Sequence, residues 1–458
     1  MLRQMSAVLM LMSLCAAGVW CEDGWEEFTE PNNEDDESLK EMEKLKVPEI
    51  VELYHYPIEV HHVTTIDGYV LGMHRIPHGV RGQGKGVKHK PVVLFMHGLY
   101  TNSVLWVFNQ PDKSAGFMFA DAGFDVWLGN VRGTYYSKNH TTLPKQWHDK
   151  RYWKFSVDEM AEYDLPAMVD YILRKTDQSS LYYVGYSQGT SMMFAKAASD
   201  PTFSRKIKMF FALAPVAYLG HIREKSSQWA ASLVRQAQLL TSNINEIFWT
   251  RSRSDEELKE VNVLKRVGLK GLTKLQSSLL RRVRKSVERD FKNEARMNER
   301  RASFLAAHLP DTTSIQNLLR FAQNIKANKF QMYDAGSRKG NMALYGQTTP
   351  PQYDLTAVHV PVFMFRGDRD MTAVPEDIDR LVAELPNVVK MKHLPYNHYE
   401  FVMAPEASES VYQPIIDTIK ESEQESEDEE NDEDEDKKEE VGKEEEEEQE
   451  GSPSVLCF

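Results

Sequence analysis

"LYYVGYSQGTSMMFAKAA", residues 181–198, changes character at Gly185. A run of Leu, Tyr and Val that reads as a buried strand stops there, and a small-residue helical pattern begins after Ser187. Gly185 stands two residues before Ser187 and Gly189 two residues after it. A strand that turns directly into a helix has no room for Cβ atoms at those two places. Glycine removes them and leaves the serine on a strained bend with its Oγ exposed. The pattern G-x-S-x-G arises by chance often enough to mean little alone. The strand before it and the helix after it make it a candidate nucleophile elbow.

Outward from this stretch, buried strands alternate with helices. "IEVHHVTTIDGYVLGMHRI" (58–76) reads as a hairpin around an Asp-Gly turn, and "PVVLFMHGL" (91–99) and "FDVWLGN" (124–130) as buried strands. "SVDEMAEYDLPAMVDYILRKT" (156–176) has helical period, with Ser156 as N-cap and Glu159 closing a capping box. "IKMFFALAPVA" (207–217) and "VPVFMFRGD" (360–368) are further strands, and "PEDIDRLVAEL" (375–385) is a helix. The alternation predicts an α/β fold with a mostly parallel central sheet covered on both faces. Between Ala217 and about Asn328 the sheet pattern stops. Residues 228–249 and 272–291 each place apolar side chains on one helical face, and 251–301 hold 16 Lys/Arg against 8 acids. This segment is expected to be an inserted helical cap, exposing those faces at a lipid surface.

A nucleophilic serine needs a base, and the base needs an orienting carboxylate. After the strand "VFMFRGD", Asp368 and Asp370 are both available; after "VVKMKHLP", the loop "YNHYEF" offers His398. His393 falls inside that strand, where packing is expected to take its side chain, so it is the weaker candidate. The order Ser187, Asp, His398, each just past a strand, is the order of a serine hydrolase on such a sheet. The oxyanion donors would be the backbone N–H of Gln188 and that of Leu99 in "MHGLY", where His97-Gly98 lets the loop turn tightly.

Taken in order, "FMHGLYTNSVLW", "FADAGFDVWLGNVRGTYYSKNH", "FSVDEMAEYDLPAMVDYI", "YVGYSQGT", "FFALAPVA", "HLPDTTSIQNLLRFAQ" and "FRGDRDMTA…LPYNHYEF" resemble the acid lipase family of gastric and lysosomal lipases. The resemblance covers roughly residues 47–415. It implies an α/β-hydrolase with a helical cap, acting on acylglycerols or sterol esters at a lipid–water interface through an acyl-enzyme. On matching positions it implies Ser187 as nucleophile, Asp370 as the acid (G-x-x-D from Gly367) and His398 as the base, with Leu99 and Gln188 at the oxyanion positions. The chain departs from the family pattern in the "YTNS" that follows "HGL", in lacking the cap's cysteine pair, and in its acidic tail. A storage or lipid-binding descendant of such an enzyme is the other reading, but it has no reason to keep Ser187, Asp370 and His398 together.

The ends of the chain set its compartment and its boundaries. Residues 1–21 have Arg3, a short apolar core and small residues near Ala16–Gly18, the pattern of a cleaved secretory signal. A secreted protein, extracellular or lysosomal, is expected, and Asn139 in "NHT" is its one glycosylation sequon. An acidic segment (22–46), the body (47–217 and 329–420, flanking a cap at 218–328) and a tail (421–458) complete the division. Net charge is −14, yet residues 421–450 carry 20 acids against 3 lysines, so the body is basic and the tail is expected to be disordered. Three cysteines, two of them near the signal and one at position 457, leave no expected disulfide within the body.

Some classes drop out. "GVRGQGKG" (79–86) mimics a phosphate loop, but Gly86 replaces the Ser/Thr and the segment joins two strands. His61-His62 lacks ligand spacing, so no metal or other cofactor is expected. No segment after the signal approaches membrane-spanning length, nothing points to nucleic acid, and the oligomeric state is left open.

Overall fold

The computed structural model describes residues 41–82, 85–87, 90–143, 150–223, 246–247, 299–426 and 428. The expected signal, most of the acidic segment, the two cap helices (apart from Glu246–Ile247) and the tail from residue 429 lie outside these residues.

The expected sheet is present. Its strands are β1 (Glu59–Thr64), β2 (Tyr69–Ile76), β3 (Val92–Met96), β4 (Asp125–Gly129), β5 (Asn139–His140), β6 (Leu181–Tyr186) and β7 (Ile207–Leu213). A two-residue pair, β8 (Glu246–Ile247) and β9 (Thr313–Ser314), forms a separate ladder. The main sheet then resumes with β10 (Val362–Gly367) and β11 (Val388–Leu394), in the order β1-β2-β4-β3-β6-β7-β10-β11, with β5 on β2. The β1–β2 hairpin and the β2–β4 pair are antiparallel, and every pairing from β4 to β11 is parallel. The phosphate-loop mimic at 79–86 lies between two strands, β2 ending at Ile76 and β3 starting at Val92, and no helix follows it among the described residues.

The central strands are buried on both faces, which is why they read as continuous apolar runs. Their side chains divide with period two. Val93, Phe95, Val184, Phe211 and Phe363 enter one core, and Leu94, Met96, Tyr183, Phe210 and Met364 enter the other. The first core is closed by α1 (Val47–Leu53), α2 (Ala115–Asp121) and residues 411–419; the second by α3 (Leu165–Thr176) and α4 (Gln188–Ser199). Complete burial of a Val, Leu or Phe side chain in these cores is worth about 1.5–3 kcal/mol.

Three segments differ from the expected elements. The helix expected over 156–176 starts as foreseen, with Ser156 capping and Glu159 closing the box. It then passes through a π turn, Met160–Asp164, where the Leu165 N–H donates to the Met160 carbonyl. Pro166 has no N–H to offer the Glu162 carbonyl, so the α ladder cannot run through. The turn directs Asp164, fully buried, onto Arg132: the Arg132 Nε donates to Asp164 at 2.8 Å and its terminal nitrogens to Asp67 at 2.7 and 3.0 Å. β7 stops at Leu213 rather than near 217, since Ala214 has φ +46°, which no strand residue adopts. The last helix continues to Ser426, past the boundary expected at Lys420, with Glu423 held by Tyr182 and Lys208.

Candidate active site

The elbow geometry follows from the glycines. Ser187 has φ +51° between the end of β6 and the start of α4. A Cβ on Gly189 would lie 2.5 Å from the Met96 carbonyl oxygen, and one on Gly185 would lie 3.0 Å from the Gly189 carbonyl carbon. Neither backbone atom can yield, so only glycine allows β3, β6 and α4 to converge here. Ser187 is partly exposed at the carboxyl end of the parallel strands, and its N–H is fixed by the Leu213 carbonyl at 3.1 Å.

His398 and Asp370 reach it from the two loops that follow β11 and β10. The Ser187 Oγ–H donates to His398 Nε2 at 2.8 Å, and the His398 Nδ1–H donates to Asp370 Oδ2 at 2.8 Å. The other carboxylate oxygen, Oδ1, accepts the backbone N–H groups of Thr372 and Ala373, both at 2.8 Å. Tyr186 donates from its hydroxyl to the His398 carbonyl at 3.0 Å. The ring and the carboxylate are both buried, as a low-dielectric relay requires. Asp368 stands apart. It is exposed and faces His393 across 3.7 Å on the protein's surface. His393 was expected to point into packing, and it does not. β11 is the edge strand of the sheet, so its outward side chains meet solvent.

The candidate oxyanion donors flank the serine. A Cβ on Gly98 would come within 3.2 Å of Ser187 Cβ, so the "HGL" loop lies directly against the elbow. Among the described residues, neither the Leu99 nor the Gln188 backbone N–H donates to a protein acceptor. The Leu99 side chain packs with Ile315, Leu318 and Leu319 of α5 (Ile315–Ala327), giving the site an apolar wall. His97 braces the loop from inside: Nδ1–H donates to the Gly98 carbonyl at 2.8 Å, and Nε2 accepts the Val131 N–H at 3.3 Å. This role needs the neutral ring.

Burial enforces that neutrality. It pushes His97 down to about 4 and His74, which bonds Ser103 at 2.9 Å, down to about 3. In the unfolded chain both titrate near 6.5. As pH falls below that value the unfolded state takes up protons that the folded state refuses, so stability present above pH 6.5 is lost progressively. Each histidine contributes about 2 kcal/mol of loss between pH 6.5 and 5. The urea midpoint is therefore expected to drop between pH 7 and 5, where exposed carboxylates stay ionised and buried Asp164, pushed up to about 6 by desolvation, offsets part of the loss as it takes up its proton. An unchanged midpoint across that interval would contradict the burial of neutral rings.

Sequence reasoning missed two side chains that hold the site. Asp311, fully buried, accepts Asn102 Nδ2 at 2.7 Å, and its own N–H donates to the Tyr100 carbonyl at 2.6 Å. The "TNS" that departs from the family pattern is thereby anchored, and Tyr100 is held at φ +61°. Asn317 donates to the Gln188 side chain at 2.7 Å and accepts the Val157 N–H at 2.9 Å. Both contacts span more than 120 residues, and no local pattern announces them. The one available signal was the N-cap in "TTSIQN", which placed Asn317 in a helix's first turn.

A family profile described as an alpha/beta hydrolase fold matches residues 91–403, and one described as a partial alpha/beta-hydrolase lipase region matches residues 47–110. Gastric triacylglycerol lipase of Bos taurus is 38% identical over 381 residues, covering 83% of this chain and 92% of that protein. The chain belongs to the acid lipase family of α/β-hydrolases. Lipase member K of Homo sapiens, 35% identical over 82% of this chain and 91% of that protein, and lipase member M of Homo sapiens, 36% identical over 83% and 86%, are similar to it too. As a member of this lipase family the protein is a carboxylic ester hydrolase. Among the described residues, no helix of this lipase is long and apolar enough to cross a membrane.

Proposed function

We propose that this lipase hydrolyses acylglycerols or sterol esters by a serine mechanism in which Ser187, His398 and Asp370 are the triad. Ser187 Oγ attacks the acyl carbonyl as His398 Nε2 takes its proton. The carbonyl oxygen, now anionic, is met by the Leu99 and Gln188 N–H groups. The imidazolium, stabilised by Asp370, gives its proton to the departing alcohol. Water then attacks the acyl-enzyme with His398 as base and releases the fatty acid. The observation that carries this reading is the continuous chain Ser187–His398–Asp370, with both links 2.8 Å, beside two N–H groups that no acceptor among the described residues claims. The apolar face of α5 beside Leu99 supports an acyl chain as the bound group, and the resemblance to gastric triacylglycerol lipase supports the ester class. The test is hydrolysis of short-chain esters and of emulsified long-chain triglyceride and cholesteryl ester, from pH 4 to 9. Release of fatty acid from an emulsion is expected; turnover of water-soluble esters alone would limit the protein to esterase work.

The same reading places the protein in the secretory route, with residues 1–21 as its signal. Asn139, exposed on β5 at the sheet's margin, is then open to a glycan. Protein made in eukaryotic cells is expected to gain gel mobility after glycosidase treatment, and Asn139→Gln to abolish the change. Identical mobility before and after treatment would exclude the modification.

A further inference from the structure

Asp370 and His398 sit on two different loops, and a single hydrogen bond between them would be a weak tether. A second connection lies immediately behind it. The β10–β11 ladder ends at Gly367 and Leu394, and the backbones stay paired beyond it: Asp368 N–H donates to Leu394 at 2.9 Å and Arg369 N–H to Tyr396 at 3.1 Å. The Arg369 side chain then crosses to the base loop. Its Nε and Nη2 donate to the Pro395 carbonyl at 3.0 and 2.7 Å, and Nη2 also donates to both oxygens of Glu400, at 2.9 and 3.1 Å.

Glu400 is completely buried, while the Arg369 side chain is 50% exposed. A carboxylate without solvent is costly unless charge-paired and hydrogen-bonded, and here it is both. Its Oε2 accepts the Asn397 N–H at 2.6 Å, and Asn397 Oδ1 accepts the N–H groups of Tyr399 and Glu400 at 3.0 and 3.1 Å. The turn 397–400 that presents His398 is thus closed around Glu400 and fastened to Arg369, the residue before Asp370. A neutral side chain at 400 would close the turn, but it would lack the charge that draws in the guanidinium.

We propose that the Arg369–Glu400 ion pair is a positioning clamp for the base, holding the His398 loop in register with Asp370. This rests on the triad reading. Neither residue touches Ser187 or the reacting ester, and both act through His398. The imidazole must keep its bond to Asp370 while gaining and losing a proton at Nε2, and drift on the order of 1 Å can cost about a hundredfold in rate.

The test compares the full-length wild type with Arg369→Gln, Glu400→Gln, their double variant and Arg369→Lys, using p-nitrophenyl butyrate and active sites counted with a phosphonate. Per counted site, each single Gln variant is expected to lose about tenfold to a hundredfold in kcat, with KM within about twofold. The double variant should be no worse than the poorer single, because both remove the same tether, and Arg369→Lys should recover part of the loss. The far-downfield proton resonance of the His398–Asp370 bond should shift or broaden in the two Gln variants. Wild-type kcat per site with an unmoved resonance would overturn the clamp, as would a loss that merely follows the number of folded sites. Ser187→Ala is run alongside. Turnover in that variant would sink the triad reading, while the resonance still decides the clamp.

Discussion

Replacing Ser187 by alanine is expected to lower ester hydrolysis by about 10⁴- to 10⁶-fold while leaving the fold as stable as before. The loss is large because the attacking oxygen is itself removed: Ser187 Oγ is bonded to His398 Nε2 at 2.8 Å. The fold survives because alanine keeps the Cβ at φ +51°, so the strain of the bend is unaltered, and the backbone bond from residue 187 to Leu213 remains. An unfolding free energy in urea within about 0.5 kcal/mol of wild type is expected alongside the lost activity. Turnover within tenfold of wild type in the purified variant would contradict the assignment.

The two neighbouring aspartates separate just as sharply. Asp370→Asn is expected to cost about 10⁴-fold in kcat, and Asp368→Asn less than about twofold. The reason is a tautomer. Asp370 Oδ1 is already claimed by the Thr372 and Ala373 N–H groups, so an asparagine there turns its carbonyl to them and its NH₂ to His398. His398 Nδ1 must then accept, the ring proton moves to Nε2, and the base can no longer take a proton from Ser187. Asp368 is half-exposed and faces His393 across 3.7 Å. Kinetics of both variants on one soluble ester check the ranking, and the reverse order would move the acid to position 368.

Much of this was legible in the chain, and the physical reason is locality. The elbow is written in five consecutive residues, because its constraint is steric and acts over i ± 2. The hairpin, the capping box at Ser156 and Glu159 and the buried strands announce themselves in the same way, through short-range turn chemistry and apolar runs. What escaped is what depends on distant partners. The π turn at 160–164 depends on Pro166 but is used by Arg132, more than 20 residues upstream. Asp311, Asn317 and Glu400 look like ordinary polar residues until the fold brings them to Tyr100, Gln188 and Arg369. His393 was misplaced for a related reason: whether a strand lies at the edge or the centre of a sheet is a property of topology, and its own residues do not state it. Asp370 was separable from Asp368 only through the family resemblance, since two residues' difference in a turn decides which carboxylate faces inward.

The central claim is that Ser187 is the activated nucleophile, and covalent capture tests it most directly. A fluorophosphonate reacts with a serine oxygen only where a base removes its proton and an oxyanion site receives the phosphoryl oxygen. Incubating the intact protein with this reagent, digesting it and mapping the adduct by mass spectrometry should find one phosphonylated residue, Ser187, at one equivalent per chain. The adduct should be missing in His398→Gln, where Ser187 keeps its place but loses its base. Stoichiometric labelling at another residue, or equal labelling of Ser187 with and without His398, would contradict the account.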